Sequence, residues 1–322
     1  MTYSIGILGA RGYVGRELIE GILQHPELNL SWVSSRQLAG QPLTTLVPEA
    51  SLDLTIETLA VKDIATRDTD IIVLALPNGL AEPFVTAIEA QTSCKLIIDL
   101  SADYRFDDNW DYSVPELHAL RESTGLIKIS NPGCYATAMQ VAIAPIREIA
   151  EGNIHCVGIS GYSGAGTKPS PNNDPERLKD NILPYGLIEH IHEREVSRHM
   201  GVQVHFSPHV AAFFRGINMT VQFAVKKPVT VAELYALYKE HYSHCDYVQV
   251  TEQIPNLQNV VNTPLCEVGG IHVSADGKRA TVISCLDNLA KGAASQAMQN
   301  INKAFGMPAH LGIDNLYKTK RG

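Results

Sequence analysis

The sequence lacks three features: long apolar runs, a surplus of positive charge and closely spaced cysteines. No run approaches the roughly 18 apolar residues that a membrane-spanning helix requires. The 26 Lys and Arg residues are outnumbered by 34 Asp and Glu, for a formal net charge of −8, so no broad basic surface is available for nucleic acid or an anionic membrane. We therefore expect neither kind of partner.

The six cysteines argue against two further classes of site. None lies within three residues of another, so there is no C-x-x-C pair for redox chemistry or for zinc. At this length and cysteine density a disulfide framework is not expected. The first residues also lack the basic segment of a signal peptide. We expect a reduced, cytoplasmic protein whose thiols are mostly buried.

What is present is an ordinary globular composition, with 45% apolar residues, and a length typical of two domains. The first third alternates short apolar runs with helical stretches. Strands are predicted over 4–8, 30–34, 70–75 and 95–100, and the first helix over 11–24. Near-continuous apolar runs are typical of parallel strands buried on both faces. The predicted fold class is therefore α/β, beginning with a Rossmann-type, doubly wound dinucleotide-binding domain.

The pattern changes after about residue 133. A helix is predicted over 134–149, a closing helix over 288–305, and strands over 156–160, 203–205, 218–225 and 268–274. This spacing favours a mixed or antiparallel sheet and hence an α+β catalytic domain. We predict a first domain over 1–133 that is completed by a C-terminal helix in 288–322, and a second domain over 134–287.

A glycine-rich turn follows the first predicted strand. Gly9, Gly12 and Gly15 form a G-x-x-G-x-x-G motif, with Tyr13 and Val14 before the last glycine. Glycine permits the unusual dihedral angles of such a turn and the close approach of a pyrophosphate, and the helix start supplies N–H groups. The motif departs from the commoner G-x-G-x-x-G, and a tight turn without function is the alternative. The strand–turn–helix context favours dinucleotide binding by these five residues.

The end of the second predicted strand indicates which dinucleotide is bound. An NAD site usually places an acidic residue there to hold the ribose 2′-hydroxyl. This sequence has Ser34, Ser35 and Arg36 instead, and two hydroxyls and a guanidinium suit a 2′-phosphate. We predict NADP, the alternative being that Arg36 is a solvated loop residue. Pro77 and Asn78, which follow the third predicted strand, are predicted to line the cofactor.

Cys134 differs in context from the other cysteines. It follows Asn131, Pro132 and Gly133 and begins a predicted helix. The N–H groups and dipole of a helix start favour the thiolate and lower the pKa of a thiol from about 8.5. We therefore predict that Cys134 is a nucleophile. The alternative is a small buried cysteine, as expected for the other five.

Five segments carry a family resemblance: GARGYVGREL, DLSADYRF, NPGCYAT, SGYSGAGTK and DNLAKGAASQAMQNINKAFG. In this order, between about residues 3 and 307, they closely resemble the N-acetyl-γ-glutamyl-phosphate reductases of arginine biosynthesis, within the aspartate-semialdehyde-dehydrogenase-like superfamily. NPGCYAT with SGYSGAG is specific, whereas the glycine motif is not. The resemblance implies NADPH-dependent reduction of N-acetyl-L-glutamyl 5-phosphate to the 5-semialdehyde, with release of phosphate, through a thioester on Cys134.

The same resemblance implies that His192 transfers the proton. The family carries a His-Arg-His-x-Pro-Glu-Ile segment whose second histidine is the acid/base. Residues 190–196 match it, with Ile191 in place of arginine and Arg194 in place of proline. A structural histidine is the alternative. No metal is expected, because no H-E-x-x-H motif is present and residues two apart lie on different sides of a helix.

Basic partners are expected for the substrate's carboxylate and phosphate. Arg105 resembles the superfamily's phosphate-side arginine, and Arg215 resembles the arginine of the family's Arg-Gly-Ile segment. Either residue is otherwise an ordinary ion-pair partner. Ser101 and Asn131 complete the predicted substrate contacts.

The segment at 160–168 is rich in small residues. Its successive N–H groups are predicted to form an anion nest near the nicotinamide end of the cofactor, with a flexible surface loop as the alternative. Ser163, Gly164 and Asn288 are assigned to the cofactor.

Two other functions compete with the glutamyl enzyme. One is a sister reductase for aspartyl phosphate or a carrier-linked aminoadipyl phosphate, against which DLSADYRF and the His-x-His segment argue. The other is a catalytically silent NADP-binding regulator, against which the retention of Cys134 and His192 argues. The resemblance implies that the first domain binds NADP, that the second carries catalysis, substrate and dimerisation, and that the protein is a homodimer or homotetramer.

Overall fold

The computed structural model describes residues 2–90 and 93–321, without the side chains of 318–321. The chain divides into two compact units, one formed by Met1–Pro132 with Ala293–Gly322 and the other by Gly133–Gly292. Gly322, the last residue of the predicted C-terminal segment, lies outside the described residues. No helix in the described part of the chain is long and apolar enough to cross a membrane.

The first unit is a parallel α/β sheet with its helices. Its strands are β1 (Tyr3–Leu8), β2 (Leu28–Ser34), β3 (Ile71–Leu74), β4 (Leu96–Asp99), β5 (Asp111–Tyr112) and β6 (Ile127–Ser130). Its helices are α1 (Tyr13–Leu23), α2 (Val61–Ile64), α3 (Glu82–Glu89), α9 (Ser295–Ala304) and α10 (Ile313–Arg321). The described strands pair in the order β2-β1-β3-β4-β6-β5, all in parallel.

This strand order confirms the predicted doubly wound sheet. All residues of β3 and β4 are buried, as their near-continuous apolar sequences predict. The chain passes from β1 to β2 on one side and then to β3 on the other side of β1. The crevice at the carboxyl ends of β1 and β3 is therefore the topological switch point, where ligands bind in sheets of this kind.

The second unit contains a seven-stranded mixed sheet among its described residues. Its strands are β7 (Ala150–Gly161), β8 (Ile182–Pro184), β9 (Val204–Ala211), β10 (Ile217–Val225), β11 (Val248–Thr251), β12 (Cys266–Val273) and β13 (Arg279–Leu286). Its helices are α4 (Cys134–Ile143), α5 (Pro175–Leu178), α6 (Ile191–Met200), α7 (Val231–His241) and α8 (Leu257–Val260). The strand order is β11-β12-β13-β10-β7-β9-β8, with β7 parallel to β9 and antiparallel to β10. The predicted mixed sheet is confirmed.

Two predicted helices are wrong in length. The helix predicted over 134–149 ends at Ile143 and continues as a 3₁₀ turn, Ala144–Ile146, where Pro145 lacks the N–H that an α-helix requires. The helix predicted over 288–305 begins as a π-helical turn, Ala290–Ala294, before α9.

Helix α4 forms the buried centre of the second unit. Every residue from Tyr135 to Ile143 is buried, and each large apolar side chain that is fully buried contributes about 1.5–3 kcal/mol to folding. The Ser284 hydroxyl donates to the Ala138 carbonyl at 2.8 Å, which fastens the helix to β13. The helix start, where Cys134 lies, is thereby held in a fixed place within the unit.

Candidate active site and cofactor site

The three glycines of the turn in the first unit differ in their surroundings. Gly9 has a φ of +85°, and a Cβ added there would lie 2.4 Å from the Ala75 carbonyl oxygen. A Cβ at Gly15 would lie 2.4 Å from the Ala10 carbonyl oxygen. A Cβ at Gly12 would have nothing within 4 Å. Two glycines are therefore required by backbone packing, and the third faces open space.

The turn lies at the switch point of the sheet. The N–H groups of Gly9 and Ala10 donate to the Ser34 carbonyl at 3.0 and 3.1 Å, which ties the turn to the end of β2. Helix α1 then begins at Tyr13, followed by Val14, and among the described residues no side chain caps its start. A helix start beside an open glycine suits the pyrophosphate of a dinucleotide.

The three residues predicted to select NADP differ in exposure. Ser34 and Ser35 are buried, whereas Arg36 is exposed. The Ser34 hydroxyl accepts from the Leu59 N–H at 3.3 Å, and the Ser35 N–H donates to the Glu57 carbonyl at 2.8 Å. Arg36 is therefore the member of this group that extends into solvent at the end of β2.

The loop after β3 is fastened to the loop after β4. The Asn78 side-chain oxygen accepts from the Ala102 N–H at 3.1 Å, and the Asp103 carboxylate accepts from the Gly79 N–H at 2.7 Å. Pro77 and Asn78 are both exposed at the carboxyl end of the sheet. Asn78 thus holds the neighbouring loop in place through its amide oxygen.

Three predicted substrate residues come together at the carboxyl ends of β4 and β6. Ser101, Arg105 and Asn131 are all buried. The Ser101 hydroxyl donates to the Asp99 carboxylate at 2.7 Å. Burial raises the pKa of Asp99 to about 6, although the hydrogen bonds from Ser101 act in the opposite direction. The Arg105 guanidinium donates to the carbonyls of Asn131 at 3.1 Å and Leu100 at 3.2 Å. Two of its N–H groups are therefore bound to the backbone that precedes Cys134 in the chain.

In the second unit, Cys134 opens onto a cavity. As predicted, it is the first residue of a helix, α4, and it is half-buried. The cavity has a volume of about 210 Å³, and Tyr135, Tyr185, His190 and His192 also line it. This size suits a small molecule rather than a dinucleotide.

The other thiols lie in different surroundings. All six cysteines are free, and Cys94, Cys156, Cys266 and Cys285 are buried while Cys245 is half-buried. Burial raises the pKa of both Cys94 and Cys285 to about 12, so these thiols stay protonated. None of these five cysteines lines the cavity at Cys134.

His190 and His192 lie at the start of α6, and both line the cavity. His190 caps the helix, because its Nδ1 atom accepts from the His192 N–H at 3.2 Å. Burial lowers the pKa of His190, which favours the neutral ring. Because Nδ1 accepts a hydrogen bond, the proton of the neutral ring is on Nε2. The two imidazole centroids are 4.9 Å apart. His190 thus has a structural task at the helix start, and the His192 ring lies on the wall of the same cavity.

Ser163, Gly164 and Asn288 lie together near this cavity. The Asn288 amide donates to the Ser163 hydroxyl at 2.9 Å and accepts from the Gly216 N–H at 2.7 Å. Gly164 lines the cavity itself. The Asn288 amide thus links the Ser163 side chain to the Gly216 backbone beside the cavity.

Two N–H groups of the predicted anion nest donate to carbonyls of the protein. The segment folds as a 3₁₀ turn, Tyr162–Ala165. The N–H of Ser163 donates to the Phe214 carbonyl at 3.0 Å, and the N–H of Gly166 donates to the Ser163 carbonyl at 3.0 Å. These two N–H groups therefore stabilise the turn and its contact with the loop at Phe214.

Arg215 lies in the second unit, whereas the other predicted substrate residues belong to the first unit. Its Nε atom is 2.6 Å from the carboxylate of Asp287, which is fully buried. Asp287 also accepts from the Leu289 N–H at 2.9 Å and the Asn262 N–H at 2.7 Å. Arg215 is therefore held by an ion pair at a fixed point of the unit.

Sequence reasoning missed Glu195, Asp287 and the two cavity tyrosines. The fully buried Glu195 carboxylate accepts from the Gly133 N–H at 2.9 Å, directly before Cys134. The sequence could have indicated that Glu195 lies near the site, because it follows His192 by three residues and so shares its face of the helix. Among the described residues, no group of three or more His, Cys, Asp or Glu side chains could hold a metal ion.

Comparison with known proteins agrees with this division of the chain. Residues 4–124 match the family described as semialdehyde dehydrogenase, NAD binding domain, and residues 134–288 match the semialdehyde dehydrogenase dimerisation domain. Among solved structures, aspartate semialdehyde dehydrogenase II from Vibrio cholerae, in complex with ASA, superposes with a TM-score of 0.78 at 16% identity, covering 95% of this chain and 99% of that one. The enzyme from Candida albicans with NADP gives 0.71 at 15%, covering 95% and 99%. At these identities the likeness establishes the fold.

Curated relatives are much more similar in sequence. The N-acetyl-gamma-glutamyl-phosphate reductase of Xanthomonas campestris pv. campestris (strain B100) is 50% identical over 303 residues, which are 94% of this chain and 96% of that protein. The proteins of the same name from Stenotrophomonas maltophilia (strain R551-3) and Xylella fastidiosa (strain M23) are 48% and 45% identical, covering 95% of this chain and 96% and 93% of theirs. The chain therefore belongs to the N-acetyl-γ-glutamyl-phosphate reductase family.

Proposed function

We propose that the chain catalyses the NADPH-dependent reductive dephosphorylation of N-acetyl-L-glutamyl 5-phosphate to N-acetyl-L-glutamate 5-semialdehyde. The observation that carries this proposal is the placement of Cys134 at a helix start, on a small cavity that His192 also lines. A thiol and an imidazole on one cavity are the groups that an acyl-transfer reaction through a thioester requires.

Cys134 is the nucleophile in this proposal. Its thiolate attacks the acyl carbon, the bond to the phosphate oxygen breaks, and phosphate leaves with the electron pair. A thioester then joins the substrate to Cys134. When bound, NADPH supplies the hydride that reduces this acyl group. The adduct oxygen then reforms a carbonyl as the carbon–sulfur bond breaks, which releases the aldehyde and restores the thiolate.

His192 holds the proton of the adduct oxygen. In the reverse direction, the hemithioacetal hydroxyl gives its proton to the neutral ring as the hydride leaves. Imidazole suits this task because its charge changes between about pH 5 and 8. His190 is the weaker candidate, since its Nδ1 atom is bound to the His192 N–H.

The two units divide the work in this proposal. The first binds a nicotinamide dinucleotide, which agrees with its match to an NAD-binding domain and with the open space at Gly12. We assign the finer cofactor contacts to the glycine turn, to the end of β2, to the loop after β3 and to the Asn288 cluster, namely Gly9, Gly12, Tyr13, Val14, Gly15, Ser34, Ser35, Arg36, Pro77, Asn78, Ser163, Gly164 and Asn288.

The substrate contacts are assigned on charge. N-acetyl-glutamyl phosphate carries a carboxylate and a phosphate, and both require cationic or N–H partners. Arg105 with Ser101 and Asn131 supplies one such group in the first unit, and Arg215 supplies another in the second. The buried partners of these arginines hold each guanidinium in one orientation.

The specificity for NADP depends on Arg36. Arg36→Ala should raise the Michaelis constant for NADPH about ten- to hundredfold, because a charge-assisted hydrogen bond to phosphate contributes about 1.5–3 kcal/mol. NADH lacks the 2′-phosphate, so its kinetics should hardly change. Initial rates with each cofactor, measured on the same preparation, provide the comparison.

Arg11, an exposed arginine inside the glycine motif, is the matched control. Arg11→Ala removes a positive charge near the pyrophosphate site and should affect NADPH and NADH alike. An Arg36→Ala effect that is equal for the two cofactors would mean that the residue does not read the 2′-phosphate, and the assignment of NADP would lose its main support.

The partner of the second unit is assigned as another copy of the chain, in a homodimer or homotetramer. Residues 134–288 match a dimerisation domain. Along β7, burial alternates so that Cys156 faces the core and Val157 is 44% exposed. On the same exposed face, His155 of β7 stacks on His205 of β9 with centroids 5.3 Å apart. A sheet face that presents Val157, His155 and His205 to the outside suits contact with an identical face.

Val157→Lys should therefore weaken the assembly. Two copies related by a two-fold axis would each bring a buried lysine to the interface, and unpaired buried charge is strongly unfavourable. Light scattering coupled to size exclusion should show a lower mass than the wild-type dimer or tetramer. Val231→Lys, on α7 and 39% exposed, is the matched control and should leave the mass unchanged. Equal masses for all three proteins would exclude this face as the interface.

The reaction itself is tested in reverse. The wild-type protein should reduce NADP with N-acetyl-glutamate semialdehyde only when phosphate is present. Aspartate semialdehyde, tested at the same concentration, should be a much poorer substrate. Faster turnover of aspartate semialdehyde would replace the proposed substrate with the shorter one.

A further inference from the structure

Tyr135 is the residue that follows Cys134 on the first turn of α4. Its side chain is 2% exposed, although it contributes to the lining of the Cys134 cavity. Burial raises the pKa of the Tyr135 hydroxyl above its usual range, so the group remains a neutral hydrogen-bond donor. The ring is therefore a fixed, uncharged part of the cavity wall.

Two strands of the mixed sheet hold the Tyr135 side chain. Its hydroxyl donates to the His209 carbonyl of β9 at 2.6 Å, and its ring meets the Phe206 ring edge-on with centroids 5.0 Å apart. On the other side the ring lies directly against β7, where a Cβ added at Gly158 would be 2.6 Å from Tyr135 Cε1. Neither strand leaves the ring room to shift.

The same ring contacts the helix that carries the histidines. Its centroid is 5.9 Å from that of His192 and 6.5 Å from that of His190. Tyr185 is a further residue of the same cavity wall. One side chain thus joins the backbone next to the thiol to the imidazoles at the start of α6.

We propose that Tyr135 is a positioning residue that fixes the Cys134 thiol relative to the His192 imidazole. This inference rests on the proposed function, in which these two groups act on one substrate carbon. Cys134 and Tyr135 share a peptide bond, so the anchored ring restrains the backbone that carries the thiol. A misplacement of about 1 Å at a reacting centre costs on the order of a hundredfold in rate.

Three variants test this role. Tyr135→Leu removes the ring and the hydroxyl, and should lower kcat for semialdehyde oxidation about a hundredfold. The KM values for phosphate and semialdehyde should stay within about threefold of wild type, because the residues assigned to the substrate's charged groups are unchanged. Tyr135→Phe keeps the ring and should restore most of the lost kcat. Gly158→Ala, which pushes the ring from behind, should lower kcat without changing any cavity residue.

Tyr242→Phe is the matched control. The Tyr242 hydroxyl donates to the Val141 carbonyl at 2.6 Å, on the same helix but away from the cavity. Tyr135→Phe and Tyr242→Phe each remove one buried hydroxyl–carbonyl bond, so their melting temperatures should fall by similar amounts. The control variant should keep full kcat. A kcat loss that follows the melting temperature in both variants would show that Tyr135 acts through stability alone and would overturn the proposal.

Alkylation of Cys134 by iodoacetamide supplies a readout that is independent of the substrate. In wild type, its rate as a function of pH should show the titration of a nearby imidazole, and Tyr135→Leu should lose this feature while Tyr242→Phe keeps it. Identical profiles in all variants would contradict the positioning role. If wild-type protein shows no phosphate-dependent NADP reduction, the proposed function fails, and the alkylation profiles still decide the role of Tyr135.

Discussion

Cys134→Ser should lower phosphate-dependent NADP reduction by several orders of magnitude while NADPH binding is retained. The thiolate must first attack the acyl carbon and later depart from the tetrahedral adduct, and a serine hydroxyl performs both steps poorly. The cavity should keep its shape, because the substitution exchanges one atom at a half-buried position. Initial rates in the reverse direction and a fluorescence titration with NADPH measure the two properties separately.

Cys245→Ser is the matched control for this substitution. Cys245 is also a half-buried thiol of the second unit, but it does not line the cavity. Its replacement should leave turnover unchanged. Trapping by acid quench should yield an acylated peptide containing residue 134 from wild type and none from Cys134→Ser. Near-normal turnover of the serine variant would remove the thioester from the mechanism.

Most of the architecture could be predicted because its signals are local. The apolar runs of β3 and β4 lie wholly inside the sheet, as uninterrupted strands of a parallel sheet must. The glycine turn could be placed because Gly9 needs a positive φ that other residues avoid. The helix start at Cys134 was readable because Gly133, directly before it, serves as the N-cap.

Other features depend on contacts between distant segments and were not readable. The 160–168 segment has the composition of an anion nest, yet the N–H groups of Tyr162 and Ser163 donate to carbonyls of the loop at Phe214. The guanidinium of Arg105 donates to two backbone carbonyls, which no motif announces. The buried ion pair of Arg215 with Asp287 joins residues 72 positions apart, one on each side of β11 and β12 in the sequence. Motifs indicated which residues to consider, whereas the hydrogen-bond and ion-pair partners of those residues depend on the tertiary fold.

His192→Asn should lower the oxidation of the semialdehyde by about 10²–10⁴-fold, the usual contribution of a general acid–base residue. In this direction the hemithioacetal hydroxyl must lose its proton as the hydride leaves, and a neutral imidazole is the acceptor. An asparagine amide keeps the polarity and approximate size of the ring but accepts no proton. Cys134 should therefore remain open to alkylation in the variant, which separates loss of the base from loss of the site.

The rate of semialdehyde oxidation should fall at low pH. A ring that accepts a proton must start neutral, so the wild-type rate should fall as the pH is lowered and the imidazole becomes charged. This acidic limb should disappear in His192→Asn, whose small residual rate should not change over the same range. Persistence of the limb in the variant would assign it to another group.

His190→Asn is the internal control, and the structure makes it a stringent one. His190 caps α6 by accepting the His192 N–H, and asparagine is among the best residues for that position. The helix start should therefore survive, and the rate should change far less than in His192→Asn. If the two variants rank in the opposite order, the match across residues 190–196 is out of register and His190 is the base. If neither substitution matters, the base lies outside this segment, and the half-buried His209, whose carbonyl anchors Tyr135, is the next residue to replace.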